Sequence, residues 1–565
     1  MRSRLGQLNH ASQKGLGEIF DGSVGAGTVL WPFGGEHQLT PPDAMVAKLP
    51  LLEGDTDACS FMSWGFNASV ASWSPFHGAS WAVTESVCKA VAAGAQLTDI
   101  RLTLQEYFPK LGDDPTRWGL PFASLLGAFE AQHELRLAAI GGKDSMSGSF
   151  NDLDVPPTLV SFALAPGLAS RARSPEFKST GSTLSLVDIP LTEESLPNYS
   201  RILEVAKLLH DSNDCLLSVK AIGSAGLGHA VATSCFGNNI GADLESAAQL
   251  DLLSARPFSF LIEHTDALPL ELGAEVIGKT LAEAHLKAGD EEMPLAELVD
   301  SWTSTLEPIY PTRAESASPL REVRTEPVAP TRRSLPTSSA APRVIIPAFP
   351  GTNSEYDSAK VFSEAGAIPS IQVFRNLTPK ALDESLKALA DSIRASEILM
   401  LPGGFSAGDE PDGSAKFIAT VLHNPRVADA VMDLLKNRDG LILGICNGFQ
   451  ALIKTGLVPF GEIREPSADA PTLAHNEIGR HVSCYVQTRV ESHLSPWLAG
   501  SKIGDRYVIP VSHGEGRFIA SDEVLRELAR NGQIATRYVD NSGEPSMDIR
   551  FNPNGSVAAI EGITS

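Results

Sequence analysis

The sequence predicts an α/β and α+β multidomain protein, in which paired α+β units precede a doubly wound parallel sheet. Three observations carry that prediction. A chain of 565 residues with 43% apolar content can bury several cores, roughly three or four at about 150 residues each. Residues 311–342 are rich in Pro, Ser, Thr, Ala and Arg without hydrophobic period, and read as a linker. Beyond the linker, short apolar runs alternate regularly with helical stretches.

Taken in order, residues 1–165 combine glycine-rich turns, a helical stretch at Thr84–Ala93 and a strand-like run at Leu135–Ile140. Residues 166–310 form a second α+β unit, with a strand at Thr183–Val187, a helix near Asn198–His210 and a strand at Cys215–Ala221. Its segment Glu271–Leu306 reads as largely helical, with a solvated acidic face. Residues 343–565 form the doubly wound domain. There Val344–Ala348, Ser370–Phe374, Ile398–Leu401 and Leu441–Ile445 are the strands, with helices from Ser354, through Ala381–Ile393 and from Phe449. Trp64, Trp73 and Trp81 are expected in the core.

Composition excludes some functions. Lys plus Arg number 45 against 68 Asp plus Glu, a net charge of −23, which argues against nucleic acid or an anionic membrane as partner. Nucleotides remain open, because glycine turns, helix N-termini and carboxylate-held Mg²⁺ bind them. The six cysteines lack a CxxC spacing, which argues against a zinc site or a disulfide framework. No apolar run reaches membrane-spanning length and the N-terminus lacks a signal-peptide core, so a cytoplasmic protein is expected.

The densest chemistry lies in Gly444-Ile445-Cys446-Asn447-Gly448-Phe449-Gln450. Glycines two residues either side of Cys446, between an apolar strand and a helix, are the pattern of a nucleophile elbow. The following helix N-terminus favours the thiolate, whereas the competing reading is a small buried cysteine at a strand end. The turn Gly403-Gly404 after Ile398–Leu401 can aim backbone amides at one spot and form an oxyanion hole beside Cys446. His513 with Glu515 is the visible base pair; alternatively that glycine-rich loop only shapes the pocket. His475 and His481 are weaker candidates.

Near the other end, Asp144 sits in Gly141-Gly142-Lys143-Asp144-Ser145 after a strand, where a carboxylate can hold Mg²⁺ and hydroxyls can meet phosphate. Asp21 lies in a similar glycine-rich turn. Glu85 precedes Lys89 by four residues, the spacing of a helix-surface ion pair. Gly223–His229 reads as a glycine loop opening a helix, with a phosphate role weighed against plain strand-to-helix packing.

These motifs together resemble the phosphoribosylformylglycinamidine synthase family. Pro350–Ser354, Leu401–Asp409, Gly444–Gln450 and Ser512–Arg517 look like its class I glutamine amidotransferase domain, and Ile140–Ser147 and Phe20–Thr28 look like its synthetase nucleotide segments. The resemblance implies two synthetase units, 1–165 and 166–310, and a glutaminase domain, 343–565. It implies an ATP- and glutamine-dependent ligase acting in purine biosynthesis, with formylglycinamide ribonucleotide, glutamine and ATP as small-molecule substrates. By that resemblance Cys446 is the nucleophile, and Gly403, Gly404, Asn447, Gly448 and Gln450 form the oxyanion and glutamine pocket. Asp21, Asp144, Ser145 and Ser147 meet ATP, while Asp21, Glu85 and Asp144 hold Mg²⁺. Many family members carry an asparagine ligand at the Lys89 position; lysine cannot coordinate a metal, so Lys89 is read as a phosphate contact or a structural residue.

Two departures shape the expectation. The family's synthetase region contains two copies of the paired unit and this chain starts near the second, so a missing N-terminal synthetase half is the expected partner. The family's own His-x-Glu dyad follows a segment like Asn552–Ser556 and is expected beyond Ser565, within a glutaminase domain truncated at its C-terminus. The chain is therefore read as a portion of the synthase that works when complemented. The alternative is a nucleotide-binding, catalytically incomplete subunit or scaffold. A papain-like or caspase-like hydrolase fails for lack of either local signature.

Overall fold

The computed structural model describes residues 1–244, 250–314, 319–326, 341–406, 415–465 and 467–565. Most of the expected linker, and Ala407, Gly408 and Asp409 of the glycine turn, lie outside them. The chain divides into two units: Met1–Gly17 with Gly22–Tyr310, and Glu18–Asp21 with Pro311–Ser565.

The first unit holds two large sheets and a two-stranded pair, Ser149–Phe150 with Leu153–Asp154. One runs Thr28–Leu30, Met45–Lys48, Ala58–Gly65, Thr158–Leu168, Arg101–Tyr107, Ala138–Lys143. Only its last pair is parallel, matching Gln105 with Lys143. The helices Pro75–Ala92 and Pro115–Leu135 contribute Val83, Val87, Ala128 and Ala131 to the core with Phe61 and Leu102 of the sheet. Each starts where its sequence dictates: Ser74 and Asp114 cap the first turns and a proline follows at the first helical position. The same core takes Val187, Val219 and Phe260 from the second sheet and Ile202 and Val205 from the helix Tyr199–Asp211. The second sheet runs Leu216–Ala221, Phe260–His264, Thr183–Val187, Glu275–Leu281, Gly241–Asp243, His285–Ala288, Glu291–Pro294.

Several sequence expectations are corrected here. Glu271–Leu306 is mainly strand, at Glu275–Leu281, His285–Ala288 and Glu291–Pro294, with only Leu295–Thr303 as a regular helix. Its many acids hide strands that the sheet neighbours stabilise, since strand preference depends on those neighbours more than on the residues alone. Leu135 closes a helix rather than opening a strand, and the strand begins at Ala138. Trp64 and Trp73 are exposed, not core.

In the second unit four parallel strands are ordered Ile368–Val373, Arg343–Ala348, Ile398–Leu401, Leu441–Gly444. Val344, Ile346, Ile398 and Met400 bury one face, with Ala359 and Phe362 of the helix Glu355–Glu364 packed on it. Ile345, Leu399 and Leu401 bury the other, with Leu389 and Ile393 of Pro379–Arg394 and Val431 and Leu434 of Pro425–Lys436. Helices on both faces make this part doubly wound. An antiparallel sheet, Arg506–His513, Val482–Val490, Ile534–Val539, Ile560–Ile563, and the pair Thr472–Ala474 with Arg517–Ile519 complete the sheets of the unit.

Candidate active site

Leu441–Gly444 is an edge strand, and the helix Asn447–Lys454 begins three residues after it ends. Cys446 takes up the turn with φ 52° and ψ −111°, a conformation that non-glycine residues hold only against strain of roughly 1–3 kcal/mol. Its side chain is exposed. The flanking glycines are required by close approach. A Cβ at Gly448 would stand 2.0 Å from the Leu401 carbonyl oxygen, and one at Gly444 would stand 2.7 Å from Gly448.

The glycine turn lies directly beside this elbow. A Cβ on Gly403 would stand 3.2 Å from the Cys446 Cβ and 3.8 Å from its sulfur. Gly404 has φ 124°, accessible to glycine alone at little cost. The turn is stapled to the loop after Arg343–Ala348: Asn353 N donates to Gly403 O at 3.0 Å and Phe405 N to Gly351 O at 2.8 Å. Among the described residues neither the Gly403 nor the Gly404 amide has a protein acceptor. Two N–H groups beside an exposed thiol are the arrangement that can receive an oxyanion.

Asn447 and Gln450 are buried, and their amides bond to protein. Asn447 Nδ2 donates to Gln450 Oε1 at 2.9 Å, and Gln450 Nε2 donates to Glu515 O at 2.9 Å. Ser406 N donates to Asn447 Oδ1 at 3.4 Å. The Ser406 hydroxyl is buried and has no partner among the described residues.

The histidines near this site differ. His513 is half-buried, and desolvation of its ring pushes its pKa down to about 4. Its ring meets Asn554 Nδ2 at 3.5 Å and lies flat against Gly516, where a Cβ would come within 2.5 Å. A neutral, enclosed ring matches the pocket-shaping reading of this loop. His475 is exposed and faces Glu515 at 3.4 Å. His481 bonds the Ser512 hydroxyl at 3.0 Å; burial lowers its pKa while nearby Asp21 raises it.

In the first unit Asp144 follows the strand Ala138–Lys143, and parallel pairing sets it beside Glu106 of Arg101–Tyr107. Burial, then the charge of Asp144, raises the Glu106 pKa. Backbone bonds fix the loop: Ser145 N to Glu106 O at 3.1 Å, and Phe108 N to Ser145 O at 2.9 Å. The Ser145 and Ser147 hydroxyls are 2.7 Å apart. Glu106 was missed because its partner lies 38 positions away, and only strand pairing brings the two together.

Glu85 is engaged by Lys89 at 2.6 Å. The Lys89 ammonium also donates to Trp64 O at 3.1 Å and sits 4.4 Å from that indole. Asp21 belongs to the second unit, near His481, whereas Glu85 and Asp144 belong to the first. No group of three or more His, Cys, Asp or Glu able to hold a metal occurs among the described residues. At Gly223–His229 the glycines serve backbone packing: a Cβ at Gly226 would meet Ser254 O at 2.7 Å, and Gly228 N donates to Leu252 O.

Residues 341–565 match the CobB/CobQ-like glutamine amidotransferase domain family. A phosphoribosylformylglycinamidine synthase subunit PurQ of Aquifex aeolicus is 33% identical over 215 residues, 38% of this chain and 81% of the relative. The PurQ subunit of Frankia casuarinae is 36% identical over 225 residues, 39% of this chain and 77% of the relative. Among solved structures, Thermotoga maritima PurLQS aligns with a TM-score of 0.34 at 18% identity, over 46% of this chain and 39% of that one. That structural likeness is too low to carry any conclusion.

Proposed function

The chain belongs to the phosphoribosylformylglycinamidine synthase family, and from that premise we propose that its second unit is the glutaminase and its first unit carries the synthetase nucleotide site. The enzyme is an ATP-dependent ligase of purine biosynthesis with glutamine as amide donor. The observation that carries the reading is the exposed Cys446 on a strained elbow, with the Gly403 turn against it.

Cys446 Sγ attacks the side-chain carbonyl carbon of glutamine, and the Gly403 and Gly404 amides meet the developing oxyanion. Collapse breaks the C–N bond, releases ammonia and leaves a thioester that water hydrolyses to glutamate. Ammonia then attacks the formylglycinamide ribonucleotide amide carbon, whose oxygen has been phosphorylated by ATP, and phosphate leaves to give the amidine. The proton transfers are not assigned to His513, whose neutral ring faces Asn554 and Gly516.

In this reading ATP meets Asp144, Ser145 and Ser147. The neighbouring Glu106 and Asp144 carboxylates repel one another, and a divalent cation such as Mg²⁺ relieves that repulsion while neutralising phosphate charge. Glu106 and Asp144 are the residues that would hold such an ion. Glu85 would join them only on exchanging Lys89 for the cation, and Asp21 rests on the resemblance alone. A protein partner for the first unit, in the form of a complementary synthetase half, is supported by an exposed apolar stripe. On the helix Pro115–Leu135, Trp118, Phe122, Leu125 and Phe129 all face solvent.

Incubation with an electrophilic glutamine analogue followed by peptide mass spectrometry tests the glutaminase reading. An adduct is expected on Cys446 and is lost in Cys446→Ser. No adduct on Cys446 would sink it.

A further inference from the structure

Three segments must share one frame for Cys446 to act on glutamine: the elbow, the Gly403–Ser406 turn and the loop carrying Glu515. One buried run of hydrogen bonds touches all three. It begins at Ser406 N, passes through the Asn447 amide to the Gln450 amide, and ends on Glu515 O, with spacings of 3.4, 2.9 and 2.9 Å. Both side chains are buried, Asn447 at 1% exposure and Gln450 at 7%.

The direction of this run is fixed at both ends. Its first group is a backbone N–H, which can only donate, and its last is a backbone carbonyl, which can only accept. Only one orientation of each amide therefore satisfies every group. Asn447 must present oxygen to Ser406 and nitrogen to Gln450; Gln450 must present oxygen to Asn447 and nitrogen to Glu515. In a buried setting an unmade bond costs the full desolvation of the orphaned group. The run consequently resists independent movement of any of the three segments. Asn447 directly follows the nucleophile, so its anchoring acts on the elbow itself.

We infer that the buried Asn447–Gln450 amide pair holds the oxyanion turn, the Cys446 elbow and the Glu515 loop in register for attack on glutamine. Gln450 acts through other residues and is a positioning residue. This inference rests on the glutaminase reading and deepens it.

The isosteric acids Gln450→Glu and Asn447→Asp test it in the full chain. Neither changes side-chain size, so a residue that only fills space tolerates them. Gln450→Glu turns a carboxylate oxygen onto the Glu515 carbonyl. Asn447→Asp removes the donor to Gln450, and a flipped Gln450 then faces Glu515 with oxygen. The readout is the ratio of two Cys446 alkylation rates, with an electrophilic glutamine analogue and with iodoacetamide, which needs no pocket. A displacement of about 1 Å in a reacting geometry costs ~100-fold, so the ratio is expected to fall 10- to 100-fold in each variant. The double variant should lose less than the product of the two, because both break one run. An unchanged ratio, or losses that multiply, would overturn the inference. Hydrogen exchange provides a second measurement that needs no glutamine. Amides of residues 403–406 and of 513–516 should both exchange faster in Gln450→Glu, and loosening of one segment alone overturns the register role. If the unsubstituted chain takes no glutamine analogue, the glutaminase reading falls, and the exchange experiment alone then decides whether the run bridges the segments.

Discussion

Two half-buried histidines tie the stability of each unit to pH. Burial holds His513 at about 4 and His229, whose ring meets the His10 carbonyl at 3.2 Å, also at about 4. An unfolded histidine titrates near 6.5. Between pH 6.5 and 4 the unfolded chain binds protons that the folded chain refuses, so stability is full above 6.5 and falls as pH drops towards 4. Thermal unfolding scans from pH 7.5 to 5 are expected to show a falling midpoint, with a shallower fall for the second unit in His513→Gln. A midpoint independent of pH over that range would contradict the burial of both rings. The sequence marks His513 only as a candidate base. Its enclosure by Gly516, Asn554 and the neighbouring loops comes from segments up to 41 positions away, and no local pattern carries it.

At the scale of elements, the strand-to-helix turn depends on how near the helix Asn447–Lys454 comes to the strand Ile398–Leu401. Gly448 sets that distance, because its Cα faces the Leu401 carbonyl with no room for a Cβ. Gly448→Ala is expected to cost at least about 1–3 kcal/mol, the usual range for overpacking, and to displace Cys446 from the Gly403 turn. Urea unfolding measures the first effect and loss of glutamine-analogue labelling the second. An alanine variant of unchanged stability and labelling would show that the elbow is looser than described. The elbow was legible because its demands are local: an apolar run, glycines at fixed offsets and a helix within one decapeptide. Glu271–Leu306 was not, because its acids spoke for a solvated helix while Thr183–Val187 and Gly241–Asp243, which pair with Glu275–Leu281 and His285–Ala288, lie elsewhere in the chain. The Glu106–Asp144 pairing was missed for the same reason.

At the scale of the whole molecule, the first unit joins its two sheets through one core and one buried ion pair. Lys220 of the strand Leu216–Ala221 lies 3.5 Å from Asp43, just before Met45–Lys48, and both side chains are buried. Asp43 also accepts from Ala221 N at 2.7 Å. Removing the ammonium leaves a buried carboxylate without its cation, so Lys220→Met is expected to destabilise the first unit by about 3–5 kcal/mol. Replacing both partners, Lys220→Met with Asp43→Leu, should recover much of that loss. Differential scanning calorimetry separates the outcomes, and a single variant as stable as the parent would remove the pair from the account.

Residue order alone pointed to the doubly wound class of the second unit, to Cys446 on a strand-to-helix elbow, to the adjacent glycine turn and to the family. Each of those rests on contacts within a few residues or on a short repeating period, which the chain carries in its own order. Folding settled the rest: which histidine is enclosed, that Lys89 engages Glu85, that Asp144 acquires Glu106, and that Asn447 and Gln450 join in one buried run. Burial and partner choice depend on segments far apart in the chain, and their free energies exist only once those segments are packed together.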